Sequence, residues 1–212
     1  MINPPYSTPI SCIKFGLTTL ESNILTVCDI SSKQITVIDL ANENAISRIP
    51  MSGDAAIINH ITKVLALRQG AAIQLFHSDL RMKLKSCTLP EVVKYWRWIG
   101  PYMLALVTDN AVFHWSTLEG DTAYPQKVFV RHIDLDSTHR IINYQVSDDG
   151  TWCLLCGIAA APTNKDTMAF RGTMQLYSIR NNTSQMLIGH TGVFTHAHKH
   201  KTDEEVVVPV II

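Results

Sequence analysis

Apolar residues in this chain come in short runs separated by polar breaks, and four of the runs look like one strand repeated. They are Ile24-Leu25-Thr26-Val27-Cys28, Val64-Leu65-Ala66-Leu67, Leu104-Ala105-Leu106-Val107 and Trp152-Cys153-Leu154-Leu155-Cys156, with starts about 40 residues apart and a longer last interval. Each leads into a polar or glycine-bearing connection: Ser31-Ser32-Lys33, Gln69-Gly70, Asp109-Asn110, then a long loop around Pro162-Thr163-Asn164. A second apolar run follows each: Ile35-Thr36-Val37-Ile38, Ile73-Gln74-Leu75-Phe76, Ala111-Val112-Phe113-His114-Trp115 and Met174-Gln175-Leu176-Tyr177. Short connections of this chemistry between apolar runs predict β-hairpins.

A less apolar strand follows each hairpin, as at Arg81-Met82-Lys83-Leu84-Lys85, and another precedes it, as at Ile57-Ile58 or Ile141-Ile142-Asn143-Tyr144. The repeat is then four strands in roughly 40–45 residues, a period typical of propeller blades. Its inner strands are apolar on both faces. One sheet cannot bury two faces alone, whereas stacked neighbours can, and that is how a β-propeller is built. Many good helix formers over residues 63–86 support a helical alternative; Gly70 and the β-branched sister segments oppose it. The predicted class is therefore all-β, a propeller of four-stranded blades, with a sandwich or mixed fold as the alternatives. The units fall at about 15–52, 53–90, 91–132 and 138–190, with a partial fifth at 191–212. Propellers close with about four to eight blades, so the expectation is one incomplete domain from a longer protein. Such an open arc would expose an apolar face and strand edges, and would be poorly soluble alone.

Composition adds exclusions. Hydrophobic residues make up 46% and charged residues 17%, an ordinary globular mixture. Formal net charge is zero, which argues against a whole-surface attraction to nucleic acid or anionic lipid. The start, Met-Ile-Asn-Pro-Pro-Tyr, lacks the basic and apolar regions of a signal peptide, and no apolar run approaches the ~20 residues needed to cross a bilayer. A cytosolic chain is expected. Cys12, Cys28, Cys87, Cys153 and Cys156 are odd in number and sit mostly in apolar runs, which reads as buried free thiols. Cys153 and Cys156 have metal-like spacing, but strand residues three apart point to opposite faces and cannot chelate one ion. His196, His198 and His200 alternate and could share a face, yet no carboxylate or cysteine is matched to them. No nucleophile elbow or phosphate-binding glycine loop is present. No metal, no cofactor and no enzymatic activity are expected.

The run at residues 104–116 closely resembles the third blade of the amino-terminal propeller of the clathrin heavy chain family. Further matches keep the family's order: Asp54-Ala55-Ala56-Ile57, Lys63-Val64-Leu65-Ala66-Leu67, Ile73-Gln74-Leu75-Phe76, Ile141-Ile142-Asn143-Tyr144, Met174-Gln175-Leu176-Tyr177-Ser178 and Gly189-His190. The similarity runs from about residue 15 to 190, with a small insertion near 162–168. The resemblance implies a seven-bladed propeller at the tip of the clathrin leg, of which about four blades and the start of a fifth are present. It implies a docking platform for adaptors and accessory proteins bearing short linear motifs. Other heavy chains and light chains would bind through parts absent from these residues. Membrane contact would be indirect, at the cytosolic face of coated pits and vesicles. A WD-repeat-like scaffold for an unrelated complex is the alternative.

The family's best-known site takes peptides of the form Leu-apolar-x-apolar-acidic between the first two blades. The resemblance places Ile46, Arg48, Met51, Leu65, Gln74, Phe76, Arg81 and Lys83 around it. Physically such a site needs an apolar slot with cations at one end, so that alternate side chains of an extended peptide fill pockets. Gln74 and Phe76 project to one face of their strand, and Arg81, Lys83 and Lys85 share a face of the next. Arg48, expected to orient the peptide, is matched only through a one-residue shift near Ile49. Ala72 replaces a usual threonine, and Arg81 a usual lysine. A second pocket, for Trp-bearing motifs, matches at Phe15, Ile142 and Ile158, with Arg140 in place of a usual glutamine. A third groove, between blades four and five, matches at Trp152, Leu176 and Gln185, with Asn181 where arginine is usual.

Overall fold

The computed structural model describes residues 19–21, 24–29, 32–42, 45–50, 53–59, 61–78, 80, 82–118, 120–161, 169–198 and 205–211. The described residues form antiparallel meanders in which each strand pairs with its neighbours in sequence. The first sheet holds β1 (Thr19–Glu21), β2 (Ile24–Asp29), β3 (Gln34–Asp39) and β4 (Ala45–Pro50). The second holds β5 (Ala55–Asn59), β6 (Val64–Gln69), β7 (Ala72–His77) and β8 (Met82–Thr88). The third holds β9 (Tyr95–Gly100), β10 (Met103–Val107), β11 (Ala111–Ser116) and β12 (Gln126–Val130). A 3₁₀ turn at Ile133–Leu135 leads to the fourth: β13 (Arg140–Val146), β14 (Trp152–Ala161), β15 (Ala169–Ser178) and β16 (Thr183–Ile188). Finally β17 (Gly192–His198) pairs with β18 (Glu205–Ile211). The first two sheets with residues 117–124 form one compact unit, and the remaining sheets form a second.

The all-β class expected from the hydrophobic pattern is the one observed, and residues 63–86 are strands rather than helix. Their β6–β7 turn uses Gly70 at φ 60°, a left-handed conformation open to glycine at little cost. The hairpin at 103–116 turns on Thr108, whose hydroxyl accepts from the Ala111 N–H at 3.1 Å while its own N–H donates to the Ala111 carbonyl at 2.9 Å. Trp115 is wholly buried beside Leu104.

Inner strands are the buried ones: every residue of β5 and the first four of β6 are buried, whereas β8, β12 and β16 are largely exposed. In the first unit Ile35 packs with Ala56, Ile58, Leu65 and Leu67, with Val37, Ile49 and Phe76 against them. That joins the first sheet to the second. In the fourth sheet Cys153 and Leu155 enter one core, with Phe129 and Tyr177 stacked 4.6 Å apart, while Leu154 and Cys156 enter another on the opposite face. Both faces of one sheet are therefore dry, as the repeat requires. The Cys153–Cys156 pair is split across the sheet as strand alternation demands.

One expectation needs adjustment. The loop foreseen around Pro162 is preceded and followed by more strand than the apolar runs suggested, because β14 and β15 stay paired from Trp152↔Ser178 out to Ala161↔Ala169. The added residues, such as Ala160, Phe170 and Arg171, are exposed and carry no apolar alternation, so periodicity could not mark them. Residues 162–168 lie outside the described residues, as do Cys12 and His200. The backbone of Cys28, His196 and His198 is described, but not their side chains.

Candidate functional site

The residues matched to the first groove lie in the first unit. Register fixes their faces, because residues opposite each other on antiparallel strands point the same way. Leu65 is opposite Phe76, Leu67 opposite Gln74, Gln74 opposite Ser86, and Phe76 opposite Lys83 across a bulge. Leu65, Gln74, Phe76 and Lys83 therefore share one face of the second sheet, the face that packs on Ile35, Val37 and Ile49. Leu65 is buried in that seam, Phe76 and Gln74 are half-buried, and Lys83 is exposed. A cavity of about 460 Å³ opens at Gln74, with Ala72, Ser86, Thr88 and Tyr124 in its lining. It offers an amide, three hydroxyls and an aromatic ring.

Arg48 and Ile46 are placed differently. They pair with Thr36 and Ile38, whereas Ile49 pairs with Ile35. Since Ile35 and Ile49 join the seam with the second sheet, alternation carries Arg48 and Ile46 to the other face of β4. Both are exposed on this outermost strand of the first sheet. Register thus puts Ile49, and not Arg48, on the face toward the second sheet, and moving the strand by one residue would exchange the two. Met51 and Arg81 lie outside the described residues.

In the second matched set, Arg140 lies opposite Ile158, and Ile142 occupies a bulge where Ile141 faces Gly157 and Asn143 faces Cys156. Phe15 is outside the described residues. In the third set, Leu176 lies opposite Gln185, and Trp152 joins Leu176 in a cluster with Phe194 of β17. Leu176 is buried there, while Gln185 is exposed.

A larger cavity, about 590 Å³, contains none of these residues. It lies in the second unit between the 3₁₀ turn and the end of β16, with Ile133 and Ile188 on its rims. No linear spacing connects positions so far apart. Locally the sequence shows only Ile133 followed by Asp134 and Asp136 in a connection between strands.

Four-stranded antiparallel meanders buried on both faces of their inner strands define a β-propeller protein. Solved structures of low sequence identity share the fold. The Myceliophteria thermophila Cps50 (Swd1) beta-propeller domain matches with TM-score 0.55 and 8% identity, over 88% of this chain and 66% of that one. The N-terminal domain of Nup159 matches with TM-score 0.53 and 10% identity, over 92% and 57%. Sequence relatives give the family. "Clathrin heavy chain" of Drosophila melanogaster is 41% identical over 161 residues, 76% of this chain and 9% of that protein. "Probable clathrin heavy chain 1" of Caenorhabditis elegans is 41% identical over 185 residues, 86% and 10%. "Clathrin heavy chain 2" of Homo sapiens is 38% identical over 161 residues, 76% and 9%. Over that span the chain is a divergent relative of the clathrin heavy chains. It spans about a tenth of the length of the curated relatives it matches. No family model matches it.

Proposed function

We propose that these residues form part of the terminal-domain propeller of a clathrin heavy chain and dock short adaptor peptides of the form Leu-apolar-x-apolar-acidic. The observation that carries this reading is the common face of Leu65, Gln74, Phe76 and Lys83. An extended peptide laid along it would seat apolar side chains over Phe76, hydrogen-bond to Gln74 and direct its acidic residue to Lys83. The blades at about 15–52, 53–90, 91–132, 138–190 and 191–212 would be units of one domain. Arg48, on an outer strand, would reach the peptide only around the edge of the first sheet. The Arg140–Ile158 pair and the Trp152–Leu176–Gln185 face are subsidiary docking surfaces in the same proposal.

The role is that of a coat component in vesicle-mediated transport and endocytosis, acting on the cytosolic face of coated pits and vesicles, with no catalytic step. A single short peptide buries less than a standard interface, so micromolar to millimolar affinity, roughly −8 to −4 kcal/mol, is expected. Multivalency in a lattice would supply the avidity. Titrating a fluorescent Leu-Leu-x-Leu-Asp peptide against the full-length protein and an Arg48→Ala/Gln74→Ala variant tests the assignment. Equal binding by the two would defeat it.

A further inference from the structure

The cavity of about 590 Å³ in the second unit is lined by aliphatic side chains together with Asp134, Asp136, His139 and Arg171. One wall is the connection from β12 to β13, and it is firmly held. The Arg131 guanidinium, almost wholly buried, donates to the carbonyls of Thr108 at 2.6 Å, Leu135 at 2.5 Å and Asp136 at 3.0 Å. The His132 N–H donates to Gln175 Oε1 at 2.9 Å, and the Gln175 amide donates in turn to the Val130 carbonyl at 3.0 Å and to Ser184 Oγ at 2.8 Å. Leu135 is seated directly over Gly157, where a Cβ would come within 2.6 Å of Leu135 Cδ2. A wall fixed in this way loses little freedom on binding.

The opposite wall is the end of β16, the edge strand of its sheet. Ile188 there is 74% exposed, and Ile133, also in the lining, is 82% exposed. Single exposed aliphatics are commonplace, but two β-branched side chains lining one cavity offer an occupant apolar contact. Ala159 and Thr173 supply a floor of small side chains. Charge then selects among occupants. Asp134 and Asp136 stand together on the connecting wall, and Asp136 accepts from the Thr138 hydroxyl at 2.5 Å, lies 3.1 Å from His139 Nδ1 and accepts from the Thr138 N–H at 2.9 Å. Those bonds hold its carboxyl near a pKa of about 2, so it stays anionic.

We propose that this cleft docks an extended segment of a partner protein, with an apolar side chain clamped between Ile133 and Ile188 and a lysine or arginine set against Asp134 and Asp136. Extended backbone suits the site because side chains two apart on a strand point the same way, toward the floor, while the edge of β16 runs alongside. Arg171, also in the lining, favours an acidic group elsewhere in the same segment and so sets its direction. The inference does not depend on the groove at Gln74.

The test uses the full-length protein and an array of octapeptides carrying apolar-x-apolar-Lys/Arg, beside the same array with Glu for the basic residue. Basic members should bind at least about fivefold more tightly than their acidic counterparts, and both Ile188→Asp and Asp134→Lys should weaken them by at least about fivefold. Both residues are exposed, so the variants should melt like the parent. Ile133→Ser supplies a milder second variant and should weaken binding in the same direction. Equal binding of the two arrays, or binding unchanged in all three variants, would overturn the proposal. So would concentration-dependent self-association that Ile188→Asp abolishes, because a second copy would then be the occupant.

Discussion

His114 Nε2 and the Tyr144 hydroxyl lie 2.8 Å apart, a polar pair set beside a core of Val112, Phe129 and Leu155. Their rings meet edge to face, with centroids 5.7 Å apart. Burial raises the phenol's pKa, so it stays protonated, and burial pulls the imidazole down to about 4. An unfolded histidine takes up its proton near pH 6.5. Between those values the unfolded state binds the extra proton, so stability falls as pH drops through the window and levels off below it. Denaturation at pH 7.5 and 4.5 should show this group contributing a loss on the order of 3 kcal/mol. His114→Gln, which cannot titrate, should flatten the slope; an equally steep slope would mean that other groups carry it.

The faces of β4 and β7 make different demands on the proposed groove. Gln74 lies on the face that meets the first sheet, whereas Arg48 lies on the other face of its strand. Single substitutions should therefore separate. Gln74→Ala should weaken an acidic leucine-motif peptide several-fold, about 1 kcal/mol, as expected for one net hydrogen bond. Arg48→Ala should do less and lose its effect at high salt, since an exposed cation acts through a screened charge. Isothermal titration at two ionic strengths measures both, and a larger effect from Arg48 would place the peptide around the strand edge.

Gly172 and Gly189 mark a close backbone approach near the start of β15, just past the Thr173–Ile188 pair. The Gly189 N–H donates to the Gly172 carbonyl at 3.2 Å, and a Cβ at position 172 would collide with the Gly189 carbonyl oxygen. Backbone cannot swing aside as a side-chain tip can. Gly172→Ala should destabilise the protein by about 1–3 kcal/mol, the usual range for overpacking. Thermal melting would reveal it, and an unchanged midpoint would mean that the crossing relaxes freely.

Cys87, Cys153 and Cys156 are buried free thiols, each pushed up to about 11 by desolvation. The thiolate is the reactive form. These three should resist iodoacetamide at pH 8 in the native protein and label fully in denaturant, as mass spectrometry would show. Rapid native labelling of Cys153 or Cys156 would contradict their burial.

Hairpins were legible because β-structure writes itself locally: a period of two, a break in polarity, a residue that tolerates the turn. Val64–Gln69 and Ala72–His77 show this, as does the Thr108–Ala111 turn. The shared face of Gln74 and Phe76 followed from the same alternation. The extension of β14 and β15 did not, because residues held only by their ladder partner need no apolar pattern.

What the sequence determined by itself was the kind of element, its repeat and the family to which the chain is related, since these depend on neighbours along the chain. Two matters were left to the tertiary structure. One is the face of β4 that meets the second sheet: a shift of one residue exchanges Arg48 for Ile49, and only packing against Ile35 and Leu65 selects between them. The other is the cleft between Ile133 and Ile188, whose walls lie more than fifty residues apart in the chain. Their meeting depends on Arg131, Gln175 and Gly157 holding a connection against a sheet, a set of contacts with no signature in linear spacing.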